Sequence, residues 1–90
     1  MTAKFPLGQT VATPGALAAL AAANLPAFAL LARHAAGDWG EVDDFDREQN
    51  ERALRDGDRL LSAYTVGGER VWVITEWNRS ATTLLLPEEY

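Results

Sequence analysis

The chain has 90 residues, 48 % of them apolar and eight of them aromatic, which suits one small folded domain and excludes an intrinsically disordered chain. A formal net charge of −5 at pH 7 disfavours direct binding to nucleic acid and favours basic protein partners. The absence of cysteine excludes disulfides, thiolate metal ligands and cysteine nucleophiles, and suits a cytoplasmic protein.

The first third predicts a short strand and then a helix. Residues 9–13 (QTVAT) form a candidate edge strand. Thr13 offers a capping hydroxyl, and Pro14 has the fixed φ that suits the first helical position. This helix is predicted to end near Asn24, with Leu17 and Leu20 sharing its buried face.

A second helix is predicted from Pro26 to Gly37. Its apolar side carries Phe28, Leu31 and Ala35, and Arg33 and His34 interrupt that side. The apolar stretch 16–32 has the composition of a signal peptide or membrane span, but Asn24 and Pro26 break it. We therefore predict no membrane association.

Residues 38–51, hereafter the acidic segment, hold seven carboxylates against a single Arg. Their net charge of −6 leaves the rest of the chain at +1. Asp43 or Asp44 is predicted to cap a third helix that ends at Gly57. One side of this helix carries Phe45, Gln49, Ala53 and Leu54, and the outward side carries Asp46, Glu48, Asn50, Glu51 and Arg55.

The last third predicts a three-stranded antiparallel meander. Two strands at 59–66 and 69–77 flank the turn Gly67-Gly68, and a third follows at 81–87. Alternation places Val71, Val73 and Thr75 on one face of the sheet and Trp72, Ile74 and Glu76 on the other. The predicted architecture is a single α+β domain, 1–90, with three short helices on one face of a small antiparallel sheet.

The sequence contains no recognisable motif for catalysis or metal binding. His34 is predicted to be a surface or half-buried structural histidine, and Ser62 and Ser80 lie outside any G-x-S-x-G pattern. The carboxylates from Asp44 onward do not fit a calcium loop, because Gln49 stands where that loop needs Gly. We therefore predict a non-enzymatic protein without cofactor or metal.

Three stretches carry a family resemblance: FPLGQTVATPGAL (5–17), ARHAAGDWGEVD (32–43) and RLLSAYTVGGERVWVITEWNRSATTLLLPEEY (59–90). They resemble a family of short bacterial proteins carried on plasmids and genomic islands, some of them labelled type I restriction subunit M. The chain has neither the [NDS]-P-P-[YFW] motif nor the glycine loop of a methyltransferase. The resemblance implies a mobile-element context and assigns no catalytic residue.

Small, acidic, cysteine-free proteins of mobile elements also resemble the anti-CRISPR class, several of which mimic DNA by presenting negative charge. The leading hypothesis is an inhibitor that binds a basic surface of a host defence complex, such as a type I CRISPR effector. Its predicted partner-binding residues are Asp38, Trp39, Glu41, Asp43, Asp44, Asp46, Glu48, Glu51 and Trp77. Trp39 or Trp77 would supply an apolar anchor, although core packing is the competing interpretation for Trp39 and Trp72.

The alternative hypothesis is an accessory or self-associating module of a mobile element, including a homodimer formed through a sheet edge. In that case the carboxylates serve only solubility.

Overall fold

The computed structural model describes residues 3–90. In chain order the elements are β1 (Gln9–Ala12), α1 (Pro14–Ala22), α2 (Ala27–Ala35), α3 (Asp44–Asp56), β2 (Leu60–Val66), β3 (Glu69–Thr75), β4 (Ala81–Leu85) and a 3₁₀ helix, Pro87–Glu89. The predicted α+β fold class is confirmed.

The four strands form one sheet in the order β1-β4-β3-β2. The antiparallel meander β2-β3-β4 is as predicted. β1 is the edge strand and pairs with β4 in parallel, with Gln9 opposite Ala81 and Ala12 opposite Leu84. The sheet is therefore mixed and not purely antiparallel, because the helices and the β2-β3 hairpin provide the long connection that parallel pairing requires.

The predicted capping residues lie at the helix ends. Thr13 and Asp43 precede α1 and α3, and the side chain of each accepts a hydrogen bond from the backbone N–H three residues further on. Asn24 and Gly57 follow the same two helices with φ of 53° and 77°, the left-handed conformation of a C-terminal cap.

The core lies between the sheet and the helices α1 and α2. Val71, Val73 and Thr75 are buried on the sheet face beneath these helices, as the alternation predicts. The main cluster comprises Ala16, Ala19, Leu20, Leu30, Tyr64, Val66, Val71, Val73 and Leu84, and a second cluster comprises Phe5, Trp39, Ala53 and Leu60.

The predicted faces of all three helices differ from the observed ones. In α3, Phe45 and Gln49 were predicted on the side of Ala53 and Leu54 but are exposed, and Asn50 is buried. In α2 the residues directed at the sheet are Leu30 and His34, four apart, so Phe28 lies on the opposite side and is exposed. In α1 the buried residues are Ala16, Ala19 and Leu20, which leaves Leu17 exposed. With only Leu17 and Leu20 as large apolar side chains, the sequence of α1 does not define its inner face, so tertiary packing selects it.

α3 lies along the free edge of β2, where Asn50 contacts Leu61. On the sheet face opposite α1 and α2, the ring of Tyr90 packs edge-on against Trp72 at 5.9 Å between centroids. Glu89 ties the C-terminal turn to the start of α1, because its carboxylate accepts hydrogen bonds from the Thr13 hydroxyl and the Gly15 N–H.

Candidate partner-binding site

The first part of the acidic segment runs along the outer edge of β2, the edge that does not pair with β3. The Ala63 N–H donates to the carbonyl of Trp39 at 3.0 Å, and the Glu41 N–H donates to the carbonyl of Ala63 at 2.7 Å. The carboxylate of Glu41 accepts a further hydrogen bond from the Thr65 N–H at 3.1 Å. Glu41, a predicted partner-binding residue, is thus engaged within the molecule.

Asn50 completes the protection of this edge. Its side chain donates to the Leu61 carbonyl at 2.7 Å and accepts from the Leu61 N–H at 3.0 Å, so the amide replaces a neighbouring strand. Asn50 is only 3 % exposed, and its predicted outward orientation is wrong. Together these contacts satisfy the outward N–H groups of Leu61, Ala63 and Thr65.

Gly40 allows the segment to approach β2 so closely. Its φ is +74°, and a Cβ built there would lie 2.1 Å from the carbonyl oxygen of Ala63. Only glycine fits this position.

Trp39 lies in the core, as the core-packing interpretation predicted, and is not accessible as an anchor for a partner. It is 4 % exposed, stacks on Phe5 at 6.2 Å and meets the His34 ring edge-on at 5.8 Å. Its indole N–H donates to the Glu51 carboxylate at 2.9 Å, so Glu51 fixes the ring at the boundary of the core.

Asp38 pairs with Arg33 at the end of α2. The guanidinium Nε lies 2.7 Å from a carboxylate oxygen, and the same carboxylate accepts from the Gly40 N–H. Hydrogen bonding to Arg33 holds the pKa of Asp38 below its ordinary value. Four of the predicted residues, Asp38, Trp39, Glu41 and Glu51, therefore make contacts that hold the β2 edge or the core.

The remaining acids lie at the start of α3, where Asp43, Asp44 and Glu48 are exposed and Asp46 is half-buried. We call Asp43 to Glu48 the acidic ridge; it contains four carboxylates and Arg47, a net charge of −3. Asp44 pairs with Arg47 at 2.8 Å, but its side chain remains 95 % exposed. Phe45 is 67 % exposed between these acids. The second half of α3 adds no net charge, since Arg52 and Arg55 balance Glu51 and Asp56.

Trp77 is exposed but lies apart from the acidic ridge. It is 65 % exposed beside an open depression of about 580 Å³ that also contacts Arg55 and Gly57, at the opposite end of α3. Arg79, in the same depression, donates to the carbonyls of Ala53 and Asp58 and so fastens this turn to α3. The structure does not bring Trp77 and the carboxylates together.

A buried polar chain around His34 was not predicted. His34 Nδ1 lies 2.6 Å from the Ser62 hydroxyl, and His34 Nε2 lies 2.9 Å from the Thr75 hydroxyl. Thr75 contacts Thr82 at 2.7 Å, and Thr82 donates to the Leu7 carbonyl at 2.7 Å. His34 is fully buried, not at the surface or half-buried as predicted.

The hydrogen bond from Thr82 to the Leu7 carbonyl sets the donor direction along these hydroxyls and thereby assigns the tautomer of His34. Because the Thr82 hydroxyl donates to Leu7, it accepts from Thr75, and Thr75 in turn accepts from the Nε2–H of His34. Nδ1 is then the acceptor for Ser62. Burial and the charge of Arg79 lower the pKa of His34 to about 4, so the ring is neutral at pH 7. In the sequence, the feature that indicates these buried hydrogen bonds is the presence of polar residues at the inward strand positions 62, 75 and 82.

Among residues 3–90, no group of three or more His, Asp and Glu side chains is placed to hold a metal ion. No single helix of that part of the chain has the length and apolarity to cross a membrane, although α1 and α2 pass that test as a pair bent by 106°. Comparison with family models, with curated proteins and with solved structures gives no match for this chain.

Proposed function

We propose that this chain is a non-enzymatic inhibitor whose acidic ridge binds a basic nucleic-acid-binding surface of a host defence complex, with a type I CRISPR effector as the first candidate. The observation that carries the proposal is the exposure of Phe45 among four carboxylates. Burial in the core does not account for a phenyl ring that is 67 % exposed, whereas an apolar anchor surrounded by charge suits a protein interface.

The electrostatics support the ridge as the contact surface. The ridge carries −3, while Asp38 is paired with Arg33 and the second half of α3 is neutral. A local field of this sign steers a basic groove toward the ridge and opposes the approach of phosphate groups. Association with the partner is therefore expected to slow steeply as salt is added.

The test combines Asp44→Lys with Glu48→Lys, both exposed and one helical turn apart. The matched control, Glu69→Lys with Glu88→Lys, makes the same change in net charge at exposed positions away from α3. A purified type I effector is mixed with each protein, and binding of target DNA is titrated. The wild type and the control should displace DNA, and the ridge variant should not.

Phe45→Ala tests the apolar anchor separately. Since the ring is mostly exposed, its removal should leave the thermal stability almost unchanged while weakening binding to the effector about tenfold or more. DNA binding that stays undiminished at micromolar wild-type protein would eliminate the proposal. Equal inhibition by the ridge variant and its control would remove the ridge as the binding surface.

A further inference from the structure

The two edges of the sheet differ in whether their outward backbone groups are hydrogen-bonded. The β2 edge is closed by Trp39, Glu41 and Asn50, whose backbone and side-chain groups pair with β2. At the other edge, β1 pairs with β4 on one side only, and Gln9, Thr10 and Val11 are exposed. An unpaired edge strand is a template for another strand, and this molecule protects only one of its two edges.

The free hydrogen-bonding groups of β1 can be identified. The N–H groups of Gln9 and Thr13 donate to carbonyls of Ser80 and Leu84, both at 3.0 Å. Since backbone groups alternate in direction along a strand, the N–H and C=O of Thr10 and Ala12 point away from β4. On that side no further strand lies within residues 3–90. Two residues thus offer four hydrogen-bonding groups to a neighbour.

The charge distribution indicates what that neighbour is. None of the 21 charged residues lies within residues 5–32, so β1, α1 and the first half of α2 contribute no charged side chain of their own. The carboxylate of Glu89 contacts the start of α1 but not the outer edge of β1. Within these elements Val11, Leu17 and Phe28 are exposed, and Val11 lies on the sheet face opposite α1 and α2. A basic partner would be steered to the acidic ridge instead, whereas two copies at −5 each repel one another least where neither contributes a carboxylate, as along β1.

We propose that two copies of the chain associate by antiparallel pairing of their β1 strands, which joins two four-stranded sheets into one of eight strands. This interface goes beyond the acidic ridge and does not depend on it. It leaves both ridges of the dimer accessible.

The local backbone selects one register, centred on Val11. In this register Thr10 of each copy faces Ala12 of the other, which gives four hydrogen bonds around a close pair of Val11 side chains. Centring on Thr10 would bring in Gly8, whose φ of +66° is not extended. Centring on Ala12 would bring in Pro14, which has no N–H to donate. Val11 is 43 % exposed in the single chain and becomes covered in this arrangement.

The first test measures dimerisation by sedimentation velocity over a range of concentrations. Val11→Lys places two like charges directly opposite each other and should weaken dimerisation about tenfold or more. Thr65→Lys, an exposed position on the protected β2 edge, adds the same charge and should leave dimerisation unchanged. A wild type that stays monomeric at millimolar concentration, or a Val11→Lys variant that dimerises as the wild type does, overturns the proposal.

The second test determines the register in a chain that has no native cysteine. Val11→Cys should give a covalent dimer under mild oxidation, because directly opposed residues of a non-hydrogen-bonded antiparallel pair have Cα atoms about 4.5 Å apart, within disulfide range. Thr10→Cys should remain largely uncrosslinked, since Thr10 faces Ala12 of the second copy. Crosslinking of Thr10→Cys in preference to Val11→Cys overturns the proposed register.

Discussion

His34 is held neutral by its surroundings. Ser62 and Thr75 occupy both ring nitrogens, and the rings of Phe5 and Trp39 pack edge-on against the imidazole. A proton added to Nδ1 would place a charge in a desolvated site and break the hydrogen bond that Ser62 donates. The hydroxyl chain therefore specifies one tautomer and resists protonation.

Acid should destabilise the protein through His34 before it does so through the carboxylates. The unfolded chain binds a proton near pH 6.5, whereas the folded chain binds it only near pH 4, so the free energy of unfolding falls as the pH drops through this interval. The loss should be on the order of 3 kcal/mol. Urea unfolding at a series of pH values measures it.

His34 is the only histidine in the chain, so its ring resonances can be followed by NMR without ambiguity. They should show no titration as the pH falls from 8 to 5.5, because the folded-state pKa is about 4. In His34→Gln, which has no titrating ring, the pH dependence of stability in this interval should disappear. A midpoint near the ordinary histidine pKa would contradict the assignment of a buried neutral ring.

Asn50 is predicted to matter for stability more than any exposed residue of α3. Asn50→Asp keeps the shape of the side chain but cannot donate to the Leu61 carbonyl and buries a charge, so it should cost about 3 kcal/mol. Gln49→Glu makes the same amide-to-carboxylate change at the exposed neighbouring position and should stay within about 0.5 kcal/mol of the wild type. Denaturant unfolding of both variants gives the comparison, and equal effects would mean that Asn50 does not hold the β2 edge.

At the scale of elements, the acidic segment is mainly a cover for the sheet edge. A loop and one face of α3 supply the hydrogen bonds that another strand would make, so β2 has a protected edge without a fifth strand. This accounts for part of the clustered acidity. Asp38 and Glu41 hold the loop in place, Asp43 caps α3, and Glu51 positions Trp39.

Two glycines with positive φ are required for different reasons, one for its backbone conformation alone and the other also because the loop packs closely against β2. Gly40 and Gly57 have φ of +74° and +77°, but a Cβ at Gly40 would clash with Ala63, whereas a Cβ at Gly57 would meet nothing within 4 Å. Gly57→Ala should therefore cost about 1 kcal/mol from backbone strain alone. Gly40→Ala should cost at least about 3 kcal/mol, because the loop must also leave β2. Thermal unfolding of both variants tests this, and similar losses would show that the loop does not pack tightly on the strand.

Capping and turn residues in the sequence predicted where the helices and strands lie, whereas tertiary packing determines which side of each helix is buried. Thr13, Asp43 and Gly57 act within one turn of their own helix, so their capping roles were readable. Asn50 and Trp39 act on residues far along the chain, and no local pattern distinguishes them from solvated neighbours. The same limit applies to the candidate site, since the sequence identified the acids but not which of them contact β2.

At the scale of the whole molecule, the charged residues lie outside the N-terminal elements. The N-terminal β1-α1-α2 portion carries no charge between residues 5 and 32, and all the acids and nearly all the bases lie in the remainder. The two proposed interactions use these two surfaces separately, self-association through β1 and partner binding through the acidic ridge. They should therefore respond differently to salt.

Added salt should weaken binding of the acidic ridge to a basic partner and leave self-association unchanged or stronger. Self-association involves uncharged strands, and salt only screens the repulsion between two chains at −5 each. The ridge variant with Asp44→Lys and Glu48→Lys lowers that net charge to −1, so at low salt it should dimerise at least as strongly as the wild type. Sedimentation velocity at low and high salt measures both effects. If the ridge variant instead lost the dimer, the self-association surface would include α3 and the separation of the two surfaces would be wrong.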